Sequence, residues 1–130
     1  MMKNPENSKV VVLFEVTPTA EGKVRYLELA AQLKLLLSDA KGFIHSERFS
    51  SLNEEGKLLS LNVWENEESV KKWRNELHHR MSQSEGRERL FKNYRITVAS
   101  VIREYDDSNR SEAPADSNEY FHNKQADDRL

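Results

Sequence analysis

The hydrophobic pattern of the chain opens with seven residues, VVVLFEV, from Val10 to Val16. Both alternations of this run are apolar except at Glu15, which predicts a strand covered on both faces. A leucine-rich segment follows at helical spacing and predicts a helix, with Thr19 as its N-cap and Lys41-Gly42 as its stop. The apolar positions of this helix are Val24, Leu27, Ala31 and Leu35, with Leu33, Leu36 and Leu37 beside them.

A hairpin and a second helix come next in the pattern. The segments Phe43 to Ser51 and Lys57 to Glu65 predict two strands, joined by a short loop over residues 52–56 that ends in glycine. Asn66 is placed to cap the following helix, whose first turn is acidic and so suits the positive end of the helix dipole. One face of that helix is predicted to carry Val70, Trp73, Leu77 and Met81.

The last predicted strand runs from Tyr94 to Tyr105 and is apolar on both sides. The element order is therefore βαββαβ, which predicts a ferredoxin-like α+β fold with a four-stranded antiparallel sheet and two helices on one face. Two helices cover only one face of such a sheet, yet the first and last strands carry apolar residues on both. We therefore predict a homodimer in which two sheets pack face to face.

Composition narrows the class of protein. A chain of 130 residues fits one domain. It has no cysteine, which excludes disulfides, thiolate metal sites and cysteine nucleophiles. A formal net charge of −2 gives no general attraction to nucleic acid or anionic lipid. The polar N-terminus resembles neither a signal peptide nor a membrane span, so we expect a cytoplasmic protein with no nucleic-acid or membrane partner.

The charge distribution predicts the domain boundaries. Residues 1–9 are interpreted as an N-terminal extension, 10–105 as the folded domain and 106–130 as an acidic tail. The tail holds seven acidic and three basic side chains, a formal charge of −4. Its apolar content is too low to offset the entropy of ordering it, which predicts an extension that is mobile or lies across a partner.

Four groups of residues match the pattern of a known family. They are Gly42, Phe43, Ile44, Glu47, Arg48, Phe49 and Ser51; Lys57 to Leu61, Trp64, Glu67, Val70, Trp73 and Asn75; His79, Gln83, Gly86 and Arg87; and Tyr94, Arg95, Ile96, Val98, Ala99, Val101, Arg103 and Tyr105. On these residues the chain resembles the antibiotic biosynthesis monooxygenase (ABM) domain family, whose members are dimeric α+β barrels. The resemblance implies the same homodimer that the strand pattern predicts.

The resemblance also implies a reaction. Family members oxidise phenolic or quinol-like molecules with O2 and without flavin or metal, so the implied function is a cofactor-independent monooxygenase acting on a small aromatic substrate. Such a reaction needs an apolar pocket, a base for the phenol and donors for the resulting anion. A single preorganised donor is worth about 3 kcal/mol of barrier.

The third strand supplies the sharpest local candidates. Ser60, Asn62 and Trp64 alternate onto one side of it. Asn62 is predicted to act in catalysis by hydrogen-bonding a substrate oxygen, with Ser60 contacting the substrate and Trp64 forming an aromatic wall or donating its indole N–H. The alternative is that Ser60 and Asn62 satisfy each other or the dimer sheet.

His79 and Arg87 complete the predicted catalytic set. A histidine titrates near neutrality, so His79 is the natural general base. A straight helix turns it away from the apolar face, so the alternative is a solvated surface residue. Four arginines are potential anion clamps, and Arg87 is preferred because it follows a glycine; the four are Arg48, Arg87, Arg95 and Arg103.

Three further residues are predicted to contact the substrate. Trp73 is either a pocket wall or a core residue, given its place on the apolar face of the second helix. His45 alternates with Phe43 and faces either the cavity or the dimer interface. Glu15, an acid in an apolar strand, is predicted either to contact the substrate, where it could act as the base, or to pair with an arginine.

Two other functions remain open. Haem-degrading relatives use a first-strand asparagine, a tryptophan and a later histidine; Trp73 matches, but Glu15 and Gln83 occupy the other two positions. The chain also lacks the clustering of two histidines and one carboxylate at helical spacing that would suggest non-haem iron. The family resemblance implies that no metal or other cofactor is needed. A non-catalytic dimer that binds a small molecule needs the same apolar cavity and is the main alternative.

Overall fold

The computed structural model describes residues 8–82 and 90–120, with the side chains of 78–82 excepted. Its elements are β1 (Val10–Pro18), α1 (Lys23–Leu37), β2 (Phe43–Ser50), β3 (Leu58–Trp64), α2 (Glu67–Ser82) and β4 (Phe91–Ser100). The strands pair antiparallel in the order β2-β3-β1-β4. The ferredoxin-like βαββαβ fold predicted from the sequence is confirmed. In the described part of the chain, no helix is long and apolar enough to cross a membrane.

The core lies on one face of the sheet. Val10 of β1 pairs with Trp64 of β3, and both are buried together with Leu37 of α1 and Val70 of α2. This cluster brings both helices onto the same side of the sheet, which we call the helix face. The opposite side is called the outer face.

Helix α1 packs against the sheet through a different stripe from the one predicted. Val24 and Leu35 of the predicted stripe are 68% and 74% exposed, whereas Tyr26 and Leu37 are each 7% exposed. The helix is apolar on both sides, so periodicity alone does not choose between them. The ring of Tyr26 packs against Phe91 of β4 at 5.5 Å between centroids. This contact places the side of the helix that carries Tyr26 and Leu37 against the sheet.

The two helices begin differently. The N-cap of α1 is Gly22, with no side-chain cap, so the prediction of Thr19 is wrong. Thr19 instead shapes the preceding turn, since its Oγ1 accepts a hydrogen bond from the Gly22 N–H at 2.8 Å and its own N–H donates to the Leu90 carbonyl at 2.9 Å. The predicted cap of α2 is confirmed, because Asn66 Oδ1 accepts from the Ser69 N–H at 3.0 Å.

A register shift in β2 corrects the predicted alternation. Phe43 pairs with Trp64 and His45 pairs with Val63, so one extra residue, Ile44, lies between the two pairs. Such a bulge reverses the side that later residues face. Phe43 therefore lies on the helix face, with its ring 5.6 Å from that of Trp64, while His45 lies on the outer face.

Strand β4 ends at Ser100 rather than at Tyr105 as predicted, and the described residues from 101 to 120 belong to a separate compact unit. Within that unit Arg110 donates to Asn118 Oδ1 and Ser117 Oγ, both at 3.0 Å, and lies over the ring of Tyr105 at 5.0 Å. A short helix covers residues 115–120. Up to residue 120, hydrogen bonds around one arginine replace the apolar burial that the segment lacks.

Candidate functional site

An aromatic cluster covers one end of the helix face. Phe14 of β1 lies 6.1 Å from Phe91 and 5.8 Å from Tyr94, both of β4, measured between ring centroids. Tyr26 of α1 joins them by its edge-to-face contact with Phe91. These four residues are the tyrosine cluster. Tilted and edge-to-face rings of this kind form a stable apolar wall.

A second aromatic cluster covers the other end of the same face. Trp64 is fully buried between Phe43 of β2 and Trp73 of α2, with centroid distances of 5.6 and 6.2 Å. These three residues are the tryptophan cluster. Trp64 Nε1 is buried, and no hydrogen bond partner for it exists among residues 8–77 and 90–120. Buried donors are normally satisfied, so this unpaired indole N–H is an exception, and its complete burial keeps it out of reach of a bound molecule.

A polar strip separates the two clusters. In the sheet register Ser46 pairs with Asn62 and Arg48 pairs with Ser60. Ser60 in turn pairs with Phe14 of the tyrosine cluster. The polar strip is thus defined by Ser46, Arg48, Ser60 and Asn62, all partly open to solvent.

The polar strip has unused hydrogen-bonding capacity. Within the described residues, neither the Asn62 amide nor the Ser60 hydroxyl makes a side-chain hydrogen bond, and the two do not bond to each other. An amide offers two donors and an acceptor, and a hydroxyl offers one donor and an acceptor. A small molecule that enters between the aromatic clusters would meet these groups.

Tyr26 and Arg48 form the link between α1 and the polar strip. The Arg48 Cζ atom lies 5.9 Å from the centroid of the Tyr26 ring. Burial raises the pKa of the Tyr26 phenol, and the nearby Arg48 cation opposes that rise. Tyr26 is therefore a neutral phenol at neutral pH and can donate a hydrogen bond. Tyr26 is not among the site residues predicted from the sequence, although its spacing from Ala30, Leu33 and Leu37 is helical.

Glu15 and His45 lie on the outer face, away from the polar strip. Glu15 accepts a hydrogen bond from Arg95 Nε at 2.7 Å, and Lys57 Nζ lies 3.4 Å from its carboxylate. The bond from Arg95 is the main cause that holds the pKa of Glu15 below its usual value. Glu15 thus has the arginine partner that the sequence offered as an alternative role. His45 is exposed on the same face.

The remaining predicted residues are placed only in part. Trp73 packs in the tryptophan cluster. His79 lies in α2, but its side chain is outside the described part of the chain, and so are Gln83 and Arg87. Across the described residues no three histidine, aspartate or glutamate side chains are grouped so that they could hold a metal ion.

Comparison with known proteins bears on both the family and the fold. The profile of the antibiotic biosynthesis monooxygenase family matches residues 9–84. A curated relative, the jasmonate monooxygenase ABM of Pyricularia oryzae, is 36% identical over 90 residues, which are 69% of this chain and 42% of the relative. The chain thus spans less than half of that relative.

Two solved structures show the fold. The protein Rv0793 of Mycobacterium tuberculosis superposes with a TM-score of 0.65 at 16% identity, covering 76% of this chain and all of the other. SnoaB, a cofactor-independent oxygenase from Streptomyces nogalater, superposes with a TM-score of 0.59 at 11% identity, covering 75% of this chain and 96% of SnoaB. With the family profile matching more than half of the sequence, the chain belongs to the antibiotic biosynthesis monooxygenase family.

Proposed function

We propose that this protein is a cofactor-independent monooxygenase that oxidises a small aromatic, quinol-type molecule with O2. The observation that carries the proposal is the polar strip, a set of accessible hydrogen-bonding groups lying between two aromatic clusters. Aromatic walls with a few polar anchors suit an aromatic substrate with phenolic oxygens. Family membership and the fold shared with SnoaB support the same reaction class.

The proposed residues have distinct roles in this reaction. A base, for which we propose His79, removes a phenolic proton and makes the substrate ring electron-rich. Asn62, Ser60 and the proposed Arg87 hold the oxyanion while it passes an electron to O2. The substrate itself supplies the two electrons that reduce the second oxygen atom to water: a hydroquinone and O2 give a hydroxyquinone and water. Trp73 forms part of the wall of the site, and Trp64, predicted as a wall residue, is fully buried behind it and supports its ring.

The functional unit is proposed to be a cytoplasmic homodimer. The outer face carries partly exposed apolar side chains on its two central strands, which are Val11, Leu13, Leu59, Leu61 and Val63. A second copy packed on this face would cover them. In this arrangement Glu15 and His45, which the sequence predicts as substrate contacts, would lie at the dimer interface instead.

Oxygen uptake by purified, metal-stripped protein tests the proposal. The panel consists of hydroquinones and polyphenols, with jasmonate added because the curated relative carries that name. Asn62→Ala is compared with Asn53→Ala, since Asn53 is exposed in the loop between β2 and β3 and matches the change in residue type. We expect uptake above the autoxidation rate, a loss of about a hundredfold in Asn62→Ala and in His79→Ala, and wild-type uptake in Asn53→Ala.

The products separate the alternatives. A monooxygenase reduces the second oxygen atom to water, so adding catalase should return no O2. Uptake that catalase reverses by half would mean that peroxide is released, which contradicts monooxygenation. Absence of uptake, together with ligand-dependent thermal stabilisation, would show a binding protein without catalysis.

A further inference from the structure

Arg48 is the one charged side chain among the described strand positions of the helix face. Among the paired strand positions of the helix face in the described residues, every other side chain is apolar or neutral. The contact with Tyr26 of α1 confirms that the Arg48 side chain lies on this face. A positive charge therefore lies at the exposed edge of the proposed substrate site, beside the Tyr26 ring.

No acid in the described part of the chain neutralises this charge. Arg25 pairs with Glu28 at 3.3 Å and Arg95 pairs with Glu15 at 2.7 Å, but no carboxylate lies within salt-bridge distance of Arg48. The Tyr26 ring attracts the cation without cancelling its charge. An arginine beside aromatic rings and lacking an acidic partner is available to bind an anion.

We propose that Arg48, with the Tyr26 hydroxyl and Ser60, forms a carboxylate-binding subsite, so that the substrate is a small, mainly apolar or aromatic molecule carrying one carboxylate. This inference rests on the proposed function, because it assigns the substrate class of the same site. The guanidinium binds a carboxylate through two parallel hydrogen bonds, and neutral donors beside it complete the shell.

The charge of the site favours one carboxylate over a phosphate group. A phosphate dianion is usually held by several cations or by a row of backbone N–H groups. At the described strand positions of the helix face, Arg48 is accompanied by neutral hydroxyl and amide groups, and Arg87 is assigned separately to the substrate oxyanion. The tyrosine cluster, which lies directly beside Arg48, is suited to the apolar body of such an acid.

Paired ligands test the proposal without depending on catalysis. Binding of carboxylic acids and their methyl esters, starting with 2,5-dihydroxybenzoate and including cyclic aliphatic acids, is measured by calorimetry. We expect at least one acid to bind wild type roughly ten- to hundredfold more tightly than its ester, as charge-assisted hydrogen bonds predict. Arg48→Gln should abolish that preference, and Arg48→Lys should retain part of it.

Two further variants separate binding from folding. Arg25→Gln makes the same change in charge on the exposed side of α1 and should keep the wild-type preference. Tyr26→Phe should weaken acid binding severalfold and leave ester binding unchanged. Equal affinity for every acid and its ester in wild type, or a preference that survives in Arg48→Gln, would overturn the proposal.

This inference and the proposed function fail separately. Acid binding that depends on Arg48 without any O2 uptake would refute the oxygenase and keep the subsite. Uptake with neutral quinols together with acid binding that ignores Arg48 would refute the subsite and keep the oxygenase.

Discussion

Gly42 and Gly56 have the same backbone conformation in different surroundings. Their φ angles are +84° and +83°, in the region that favours glycine. A Cβ atom on Gly56 would meet nothing within 4 Å, whereas one on Gly42 would collide with the Ser69 side chain of α2. The Gly42 carbonyl also accepts the Glu65 N–H at 2.8 Å. Gly42 therefore fixes the start of β2 against the start of α2.

Gly42→Ala should destabilise the fold more than Gly56→Ala. Both substitutions carry the backbone cost of a positive φ, about 1–2 kcal/mol. Gly42→Ala adds overpacking against Ser69, which typically costs about 1–3 kcal/mol more. Urea denaturation of the two variants measures the difference in the free energy of unfolding. Equal losses would show that Ser69 moves aside without cost.

Side-chain alternation along a strand was enough to predict the residues that β3 contributes to the site. Ser60, Asn62 and Trp64 share the helix face, as the third strand's period of two requires. The same rule failed in β2, where the bulge at Ile44 separates Phe43 from His45. A bulge leaves no clear mark in a single sequence, so the side of the sheet that Arg48 occupies needed the structure.

Helix α1 shows why the pattern of one element is not enough. Both of its faces are apolar, and the ring of Tyr26, together with Leu37, selects the one that packs inward. In α2 the charged residues leave one apolar face, and there Val70 and Trp73 join the core as the spacing predicts. Periodicity therefore assigns the inner face only when the rest of the helix is polar.

Two leucines of α1 give a matched test of this assignment. Leu37 is 7% exposed and belongs to the core cluster, whereas Leu35 is 74% exposed. Leu37→Ala should lower the free energy of unfolding by about 2–5 kcal/mol, as a core truncation does. Leu35→Ala should change it by about 0.5 kcal/mol or less. Chemical denaturation measures both, and a larger loss at Leu35 would mean that the opposite stripe packs inward.

At the scale of the whole molecule, the two sides of the sheet are used differently. The helix face carries the polar strip and both aromatic clusters, while the outer face combines apolar strand residues with the Glu15–Arg95 ion pair. Length and element order were enough to predict the topology of the sheet. The topology does not specify which partner covers the sheet or which ligand the protein binds, since many functions share one fold.

Charge placed in the middle of the outer face should dissociate the proposed homodimer. Leu13 and Leu61 pair with each other at the centre of that face. Leu13→Lys would bury an unpaired ammonium group in the interface, so sedimentation equilibrium should show a monomer. Leu35→Lys, an exposed leucine of α1, should leave the dimer intact. Wild-type protein that is monomeric at micromolar concentration would contradict the assembly itself.

The central position of β1 also affects how the chain folds. This strand pairs on one side with β3 and on the other with β4, and the bond between Glu15 and Arg95 joins residues 80 positions apart. Contacts so distant in sequence slow folding, because the chain loses the entropy of closing a long loop before the strand contacts form. Until β4 arrives, one edge of β1 offers unpaired N–H and C=O groups to any neighbouring chain. Refolding yield should therefore fall with protein concentration more steeply than native stability alone would suggest.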